Sequence, residues 1–237
     1  MTLTLKNISV AYGDKTVLHD ISAEAETGQL IVIVGPNGSG KSSLLKAITG
    51  LLPFKGQTNL PQTRAARSRA LAYLAQDATA PDGRLVRDII ALGRTPHIGR
   101  LGKRTESDQK IIHDSLLRCD ILDFADRPFG SLSGGEKMRV HLARSFATQA
   151  PLLLADEPIT ALDPYYQLAV MDALKAYAAD GRTVIAALHD LTLAQKYADR
   201  IWVLKDGRLI QNGTADKALD AKTLAHVFRI RPDGSRL

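Results

Sequence analysis

Three short stretches of this chain carry residue types at spacings suited to handling a phosphate chain. The first is Gly35-Pro36-Asn37-Gly38-Ser39-Gly40-Lys41-Ser42, placed directly after the apolar run Leu30–Val34 and ahead of a helical pattern. It fits the Gly-x-x-x-x-Gly-Lys-Ser/Thr loop in the required strand–loop–helix context. Its glycines let the backbone wrap phosphates, while its amides and the helix N-terminus point at negative charge. Lys41 would reach the β- and γ-phosphates, and the Ser42 hydroxyl would sit on Mg²⁺. Pro36, Asn37, Ser39 and Ser43 complete the candidate contacts of this loop.

The second stretch is Leu132-Ser133-Gly134-Gly135-Glu136. Ser133 can cap a helix running from about Gly135 to Gln149, and the glycine pair lets a ligand approach the backbone closely. Ser-Gly-Gly alone is common loop chemistry. Yet it makes a second helix N-terminus suited to an anion, in a chain with one phosphate loop. Two half-sites of this kind suggest pairing, with one subunit's loop and its partner's Ser133–Glu136 closing on the same nucleotide.

The third stretch places Asp156 and Glu157 at the end of the apolar run Leu152–Ala155. Taken alone, Asp156-Glu157-Pro158 reads more simply as a strand-ending turn. Beside a phosphate loop it reads as chemistry, because phosphoryl transfer needs a carboxylate for Mg²⁺ and a group to orient water. His189 follows another apolar run, Val184–Leu188, and Gln76 ends a further one, Ala70–Ala75.

The elements that must position these residues follow from hydrophobic pattern. Leu3, Leu5 and Ile8 alternate as in an antiparallel strand, and Val17 and Leu18 belong to another. Leu30–Val34, Ala70–Ala75, Leu152–Ala155 and Thr183–Leu188 are apolar without alternation, as in parallel strands covered on both faces. Helical patterns separate them at Lys41–Thr49, Glu136–Gln149 and Pro164–Ala179, the last with Leu168, Met171, Leu174 and Ala178 on one face. Between Gln76 and Ser131 the strand pattern disappears. Leu85–Leu92 and Asp108–Cys119 look helical, joined by a loop from Gly93 to Gly99. This predicts an α/β core, an N-terminal antiparallel β part, and a helical subdomain over about 77–150 within a single domain. Ile201–Leu204, Asp206-Gly207 and Arg208–Gln211 spell a hairpin, and Lys222–Phe228 a short helical tail.

Composition narrows the class. With 45% hydrophobic residues among 237 the chain can bury a core. It has no apolar run near the eighteen residues a membrane span needs. Met1–Lys6 lacks a basic-then-apolar leader design, and the single Cys119 excludes an intramolecular disulfide and fits a reducing cytoplasm. The net charge of +6 comes with two basic clusters, Arg64/Arg67/Arg69 and Arg94/Arg100/Lys103/Arg104. These read as a solvated basic face, with an anionic membrane surface as the alternative and no nucleic-acid signature beside them.

Together the motifs resemble the ATP-binding subunits of ABC transporters, over about Leu3 to Leu219. The resemblance implies a P-loop NTPase core and the cofactors ATP and Mg²⁺. It assigns Asp156 to the metal, Glu157 to the attacking water, and His189 to the γ-phosphate. Gln76 takes the metal and water side of the site, and could also report occupancy outward. Ala161-Leu162-Asp163 matches a loop whose aspartate acts across a homodimer interface, and Tyr12 matches an aromatic that stacks on adenine. Glu136 replaces the commoner Gln, Ala155 a larger aliphatic, and Ile159 a small polar residue. The stretch Lys55–Arg69 matches nothing assigned.

Three kinds of ABC protein compete: an importer subunit, an exporter half, and a soluble ATPase of DNA repair or translation. The absence of a long heptad insert and of a second phosphate loop speaks against the last. Gly93-Arg94-Thr95-Pro96-His97 resembles a loop of ATPases serving iron-siderophore, haem and cobalamin importers. That implies a peripheral subunit at the cytoplasmic face of the membrane, a separate integral-membrane permease, and indirectly a periplasmic or lipoprotein solute-binding protein. The segment after Gln76 with Leu85–Leu92 would dock on the permease.

Overall fold

The computed structural model describes residues 1–98, 102–160, 162–231, 234 and 235. Its centre is a six-stranded sheet in the order β5-β6-β7-β3-β8-β9. These strands are β3 (Leu30–Val34), β5 (Leu71–Leu74), β6 (Leu152–Asp156), β7 (Thr183–Ala187), β8 (Arg200–Lys205) and β9 (Arg208–Gly213). All neighbours are parallel except β8 and β9, which form the expected hairpin. Its turn, Asp206-Gly207, has both residues in the left-handed region, at φ 47° and 73°, as a tight hairpin turn requires.

The unbroken apolar runs are explained by cores on both faces of this sheet. Every residue of β3, β6 and β7 is buried. Leu30, Val32 and Val34 enter one core with Leu153, Ala155, Val184 and Ala186, while Ile31 and Ile33 enter the other with Leu152, Leu154 and Ile185. The first core is closed by helices α3 (Val86–Ala91), α5 (Gly134–Ala147) and α6 (Pro164–Ala179). The second is closed by α1 (Lys41–Thr49) and by a three-stranded antiparallel sheet of β1 (Leu3–Tyr12), β2 (Lys15–Ala25) and β4 (Lys55–Thr58). Burying each large aliphatic side chain in such a core contributes about 1.5–3 kcal/mol. That is what overrides the absence of an alternating pattern.

Apart from an isolated antiparallel bridge between Leu85 and Pro128, the segment between β5 and β6 carries only helical elements among its described residues: α3, a 3₁₀ turn Leu92–His97, α4 (Glu106–Arg118), two short 3₁₀ turns, and α5. The remaining helices are α2 (Arg64–Ala70), α7 (Leu191–Tyr197), α8 (Ala215–Ala218) and α9 (Ala221–Thr223).

Several expectations change. Gly93–His97 is a 3₁₀ turn, not an open loop, and Gly99 lies outside the described residues. Arg94 belongs to no solvated face, being buried against α4 and α5. Leu168 is exposed, so the buried face of α6 runs through Val170, Met171, Leu174, Tyr177 and Ala178. Lys55–Arg69 resolves into β4 and α2, whose first turn is capped by Thr63. The tail over Lys222–Phe228 splits into α9 and a π turn, Leu224–Phe228. Among the described residues, no helix is long and apolar enough to cross a membrane.

Candidate functional site

The phosphate loop is shaped by close approaches that only glycine tolerates. A Cβ at Gly35 would lie 2.2 Å from the Leu204 carbonyl oxygen, so the loop sits against the end of β8. Gly38 and Gly40 take φ of 77° and 102°, which turn the backbone back toward α1. The Gly207 N–H donates to the Ser39 carbonyl at 3.1 Å, so the β8–β9 turn holds the loop from outside.

Lys41 is buried, and its ammonium donates to the carbonyls of Gly35 (2.9 Å) and Pro36 (3.3 Å). Desolvation pulls its pKa below the usual lysine value, with Glu157 and Asp156 opposing. A cation held by weak carbonyl acceptors inside a Gly-rich loop suits a phosphate chain better than it suits the loop alone.

The strand ends bring the carboxylates to this loop. The Ser42 hydroxyl donates to Asp156 Oδ1 at 2.9 Å, and the Tyr73 hydroxyl donates to Oδ2 at 3.2 Å. Burial raises the Asp156 pKa, and these two hydrogen bonds oppose it. A hydroxyl beside one carboxylate is a donor set suited to a hard ion that keeps water and phosphate oxygens as its other ligands, as Mg²⁺ does. Among the described residues there is no cluster of three or more His, Cys, Asp or Glu to hold a metal unaided.

Glu157 has φ 53°, in the left-handed region, and its N–H donates to the Ala187 carbonyl at 3.2 Å. This backbone twist turns the side chain toward β5 and β7. There Glu157 Oε2 accepts from Gln76 Nε2 (2.9 Å) and Thr160 Oγ1 (3.2 Å), while Oε1 meets His189 Nε2. Asn37 through Ser43 line, with Gln76, Glu157, His189 and Val17, one cavity of about 470 Å³.

Ser133 and Glu136 form a reciprocal cap at the start of α5. The Ser133 N–H donates to Glu136 Oε2 at 2.7 Å, and Ser133 Oγ accepts from the Glu136 N–H at 3.3 Å. The Ser133 amide holds the Glu136 carboxyl below its usual range. Glutamate is therefore a good cap residue where glutamine is commoner. Gly134 faces open space, and Gly135 packs close to Leu162. Together with Asp163 and Tyr166 they line a second cavity of about 440 Å³. Asp163 itself caps α6, accepting from the Tyr166 N–H at 3.1 Å.

The sequence-predicted residues thus fall into two groups. Asn37–Ser43 of the phosphate loop, Gln76, Glu157 and His189 line one cavity, with Asp156 hydrogen-bonded to Ser42 beside it, whereas Ser133–Glu136 and Asp163 line another. Tyr12 ends β1, half exposed, and is not among the residues lining either cavity. Ala161 lies outside the described residues. Tyr73 and Thr160 carry no signal of a site role in the sequence, and Val17 only that of a strand residue. Tyr73 reaches Asp156 only because β5 and β6 pair in register, with Tyr73 opposite Leu154.

The family described as ABC transporter matches residues 18–160. The cobalamin import ATP-binding protein BtuD of Halobacterium salinarum is 37% identical over 98% of this chain, which spans 60% of that relative's length. The hemin import ATP-binding protein HmuV of Rhodococcus jostii is 38% identical over 96% of this chain and 80% of its own. Among solved structures, the dimeric post-hydrolysis state of the ATP-binding cassette MJ0796 bound to ADP and Pi aligns at TM-score 0.79 and 26% identity, over 90% of this chain and 98% of that one. With a phosphate loop, a strand-end carboxylate pair and a capped Ser-Gly-Gly helix in one α/β core, this chain belongs to the ABC transporter family of ATP-binding proteins.

Proposed function

We propose that the chain is the ATP-hydrolysing subunit of an importer for an iron chelate, haem or cobalamin. The observation that carries the hydrolytic part is the Glu157 carboxylate, held by Gln76, Thr160 and His189 at the mouth of the phosphate loop. Lys41 and the amides of Gly38–Ser42 would bind the phosphates, and Ser42 and Asp156 would hold Mg²⁺, which would supply charge neutralisation there. Glu157 orients and deprotonates water, and His189 steadies the terminal phosphate. Tyr12 serves the adenine.

Two copies pair so that Ser133–Glu136 and Asp163 of one copy complete the phosphate site of the other. Support comes from the separation of the two cavities on one chain, and from the dimeric state of the solved cassette relative. Residues of about 77–150 act as the helical subdomain that passes closure to a separate membrane permease, fed by a solute-binding protein. The subunit then lies at the cytoplasmic face of the membrane. The import relatives and the Gly93–His97 motif support the cargo class.

The test is a gene deletion followed by uptake of labelled ferric siderophores, haem and cobalamin. Loss of at least one uptake, restored by the parental gene and not by Glu157→Gln, is expected. Normal uptake of all three, with no duplicate subunit present, sinks the cargo assignment.

A further inference from the structure

The Gly93–His97 turn packs against the far end of the helix that Ser133 begins. The last turn of any helix leaves carbonyls without intrahelical partners. In α5 the Ser145 and Phe146 carbonyls accept from the Thr148 and Gln149 amides, while the carbonyls of Ala147 and the following Thr148 meet the motif. A Cβ at Gly93 would lie 2.3 Å from the Arg144 carbonyl oxygen, so only glycine lets the two backbones come this close. Arg94 Nη1 donates to the Ala147 carbonyl at 2.9 Å, and His97 Nε2 lies 2.8 Å from the Thr148 carbonyl. A carbonyl only accepts, so the His97 proton sits on Nε2. Cationic and N–H donors at a helix C-terminus also complement its dipole.

Two further contacts tie the turn outward. Arg94 Nε donates to Asp108 Oδ1 at 2.8 Å, both side chains being buried, and Asp108 Oδ2 accepts the Thr105 N–H that starts α4. On the opposite side, Arg69 Nε donates to the Pro96 carbonyl at 2.8 Å. Arg69 lies in α2, which runs directly into β5, and β5 pairs with the strand that ends in Asp156.

We infer that Gly93, Arg94 and His97, with Arg69, form an internal brace that fixes α5, the helix that Ser133 caps, relative to the central sheet. They are positioning residues. The brace sets where Ser133 stands when a second copy presents its nucleotide, and it rests on the shared-site reading above. The Gly93–His97 motif thus acts inside the subunit.

Removing Arg94 would strand buried Asp108 and endanger folding, so the test uses softer changes. In a Glu157→Gln background, Arg69→Ala, His97→Ala, the double variant and His97→Gln are compared with the parent. Three readouts are taken: binding of a fluorescent ATP analogue to the monomer, the ATP concentration giving half-maximal dimer by size-exclusion chromatography, and amide hydrogen exchange along α5.

In the double variant, monomer nucleotide affinity should hold within about twofold. The ATP needed for dimerisation should rise about five- to tenfold, the shift expected from losing one or two ordinary hydrogen bonds. Exchange in α5 should quicken while β6 stays protected. His97→Gln, which keeps an N–H donor, should recover most of the loss. Unchanged dimerisation and exchange in the double variant overturn the brace, as does an equal loss of nucleotide affinity. If the Glu157→Gln parent itself fails to dimerise, the shared-site reading fails instead, and the exchange measurement alone decides the brace.

Discussion

His189 and Glu157 face each other across the ends of two neighbouring parallel strands, His189 Nε2 against Glu157 Oε1. The pairing of β6 with β7 puts Asp156 opposite Ala187, and the twist at Glu157 then swings its carboxylate toward the residue two places beyond Ala187. A carboxylate offers about four lone-pair sites. Gln76, Thr160 and His189 occupy three, which orients the group and leaves room for one water.

Removing the negative charge while keeping the shape should separate binding from turnover. Glu157→Gln should bind ATP as the parent does, yet hydrolyse it at least about a hundredfold more slowly, the usual scale for losing a general base. Lys41→Ala should instead lose nucleotide binding, because the phosphates lose the cation. Phosphate release and nucleotide titration on both variants distinguish these outcomes. A Glu157→Gln protein with parental turnover would falsify the assigned role.

Ser133 should matter to the partner's nucleotide rather than to its own subunit's. Ser133 is exposed, so a long side chain there can extend into solvent, giving up only the Ser133 cap on the Glu136 amide. Ser133→Arg in the Glu157→Gln background should abolish the ATP-dependent dimer, while the monomer keeps its nucleotide affinity. An undiminished dimer on a sizing column would rule out the shared site.

Acid should loosen the Arg94–Asp108 contact. The Thr105 amide and the Arg94 guanidinium hold the Asp108 carboxyl down to about 2, against 3.8 for an unperturbed aspartate. A depressed folded-state value contributes stability that is complete above about pH 4 and is lost as pH falls toward 2. Asp108→Asn should therefore be less stable near neutrality and show a shallower decline across that window. Urea unfolding at stepped pH values reads this directly, and parallel acid limbs in the two proteins would refute it.

The phosphate loop, the Asp156-Glu157 pair and the strands that carry them were legible from Gly35–Ser42 and from unbroken apolar runs. Those patterns depend on local geometry and on two-sided burial. Lys41–Thr49 and Pro164–Ala179 were legible to the residue, because glycines flank the first and Asp163-Pro164 opens the second. The role of Arg94 was not legible. A basic residue among other basic residues looks solvated, and its partners Asp108 and Ala147 stand 14 and 53 positions away. Tyr73 was hidden for the same reason, since strand register, not sequence proximity, brings it to Asp156. Leu168 is exposed although Met171, Leu174 and Ala178 on its face are buried, because helical spacing marks a face without saying where along the helix the core begins, here at Val170.

Gly207 should tune nucleotide affinity although it lies far along the chain from the loop it supports. Its N–H donates to the Ser39 carbonyl, and its own carbonyl accepts from the His19 N–H at 2.8 Å. It has φ 73°, and a Cβ there would lie 2.2 Å from the Val17 carbonyl oxygen. An alanine therefore carries about 1–2 kcal/mol of left-handed strain, and the backbone contact forces the turn to move as well. Any such movement shifts Ser39 in the middle of the phosphate loop, while Asp156, Glu157 and His189 are held by other strands. Gly207→Ala should thus weaken ATP binding by about tenfold, the equivalent of 1.4 kcal/mol, and leave turnover at saturating ATP within about twofold of parental. Titration with a fluorescent ATP analogue, paired with saturating-substrate rates, provides the check. Parental affinity in Gly207→Ala, or a collapse of the saturated rate, would show that the β8–β9 turn does not set the shape of the phosphate loop.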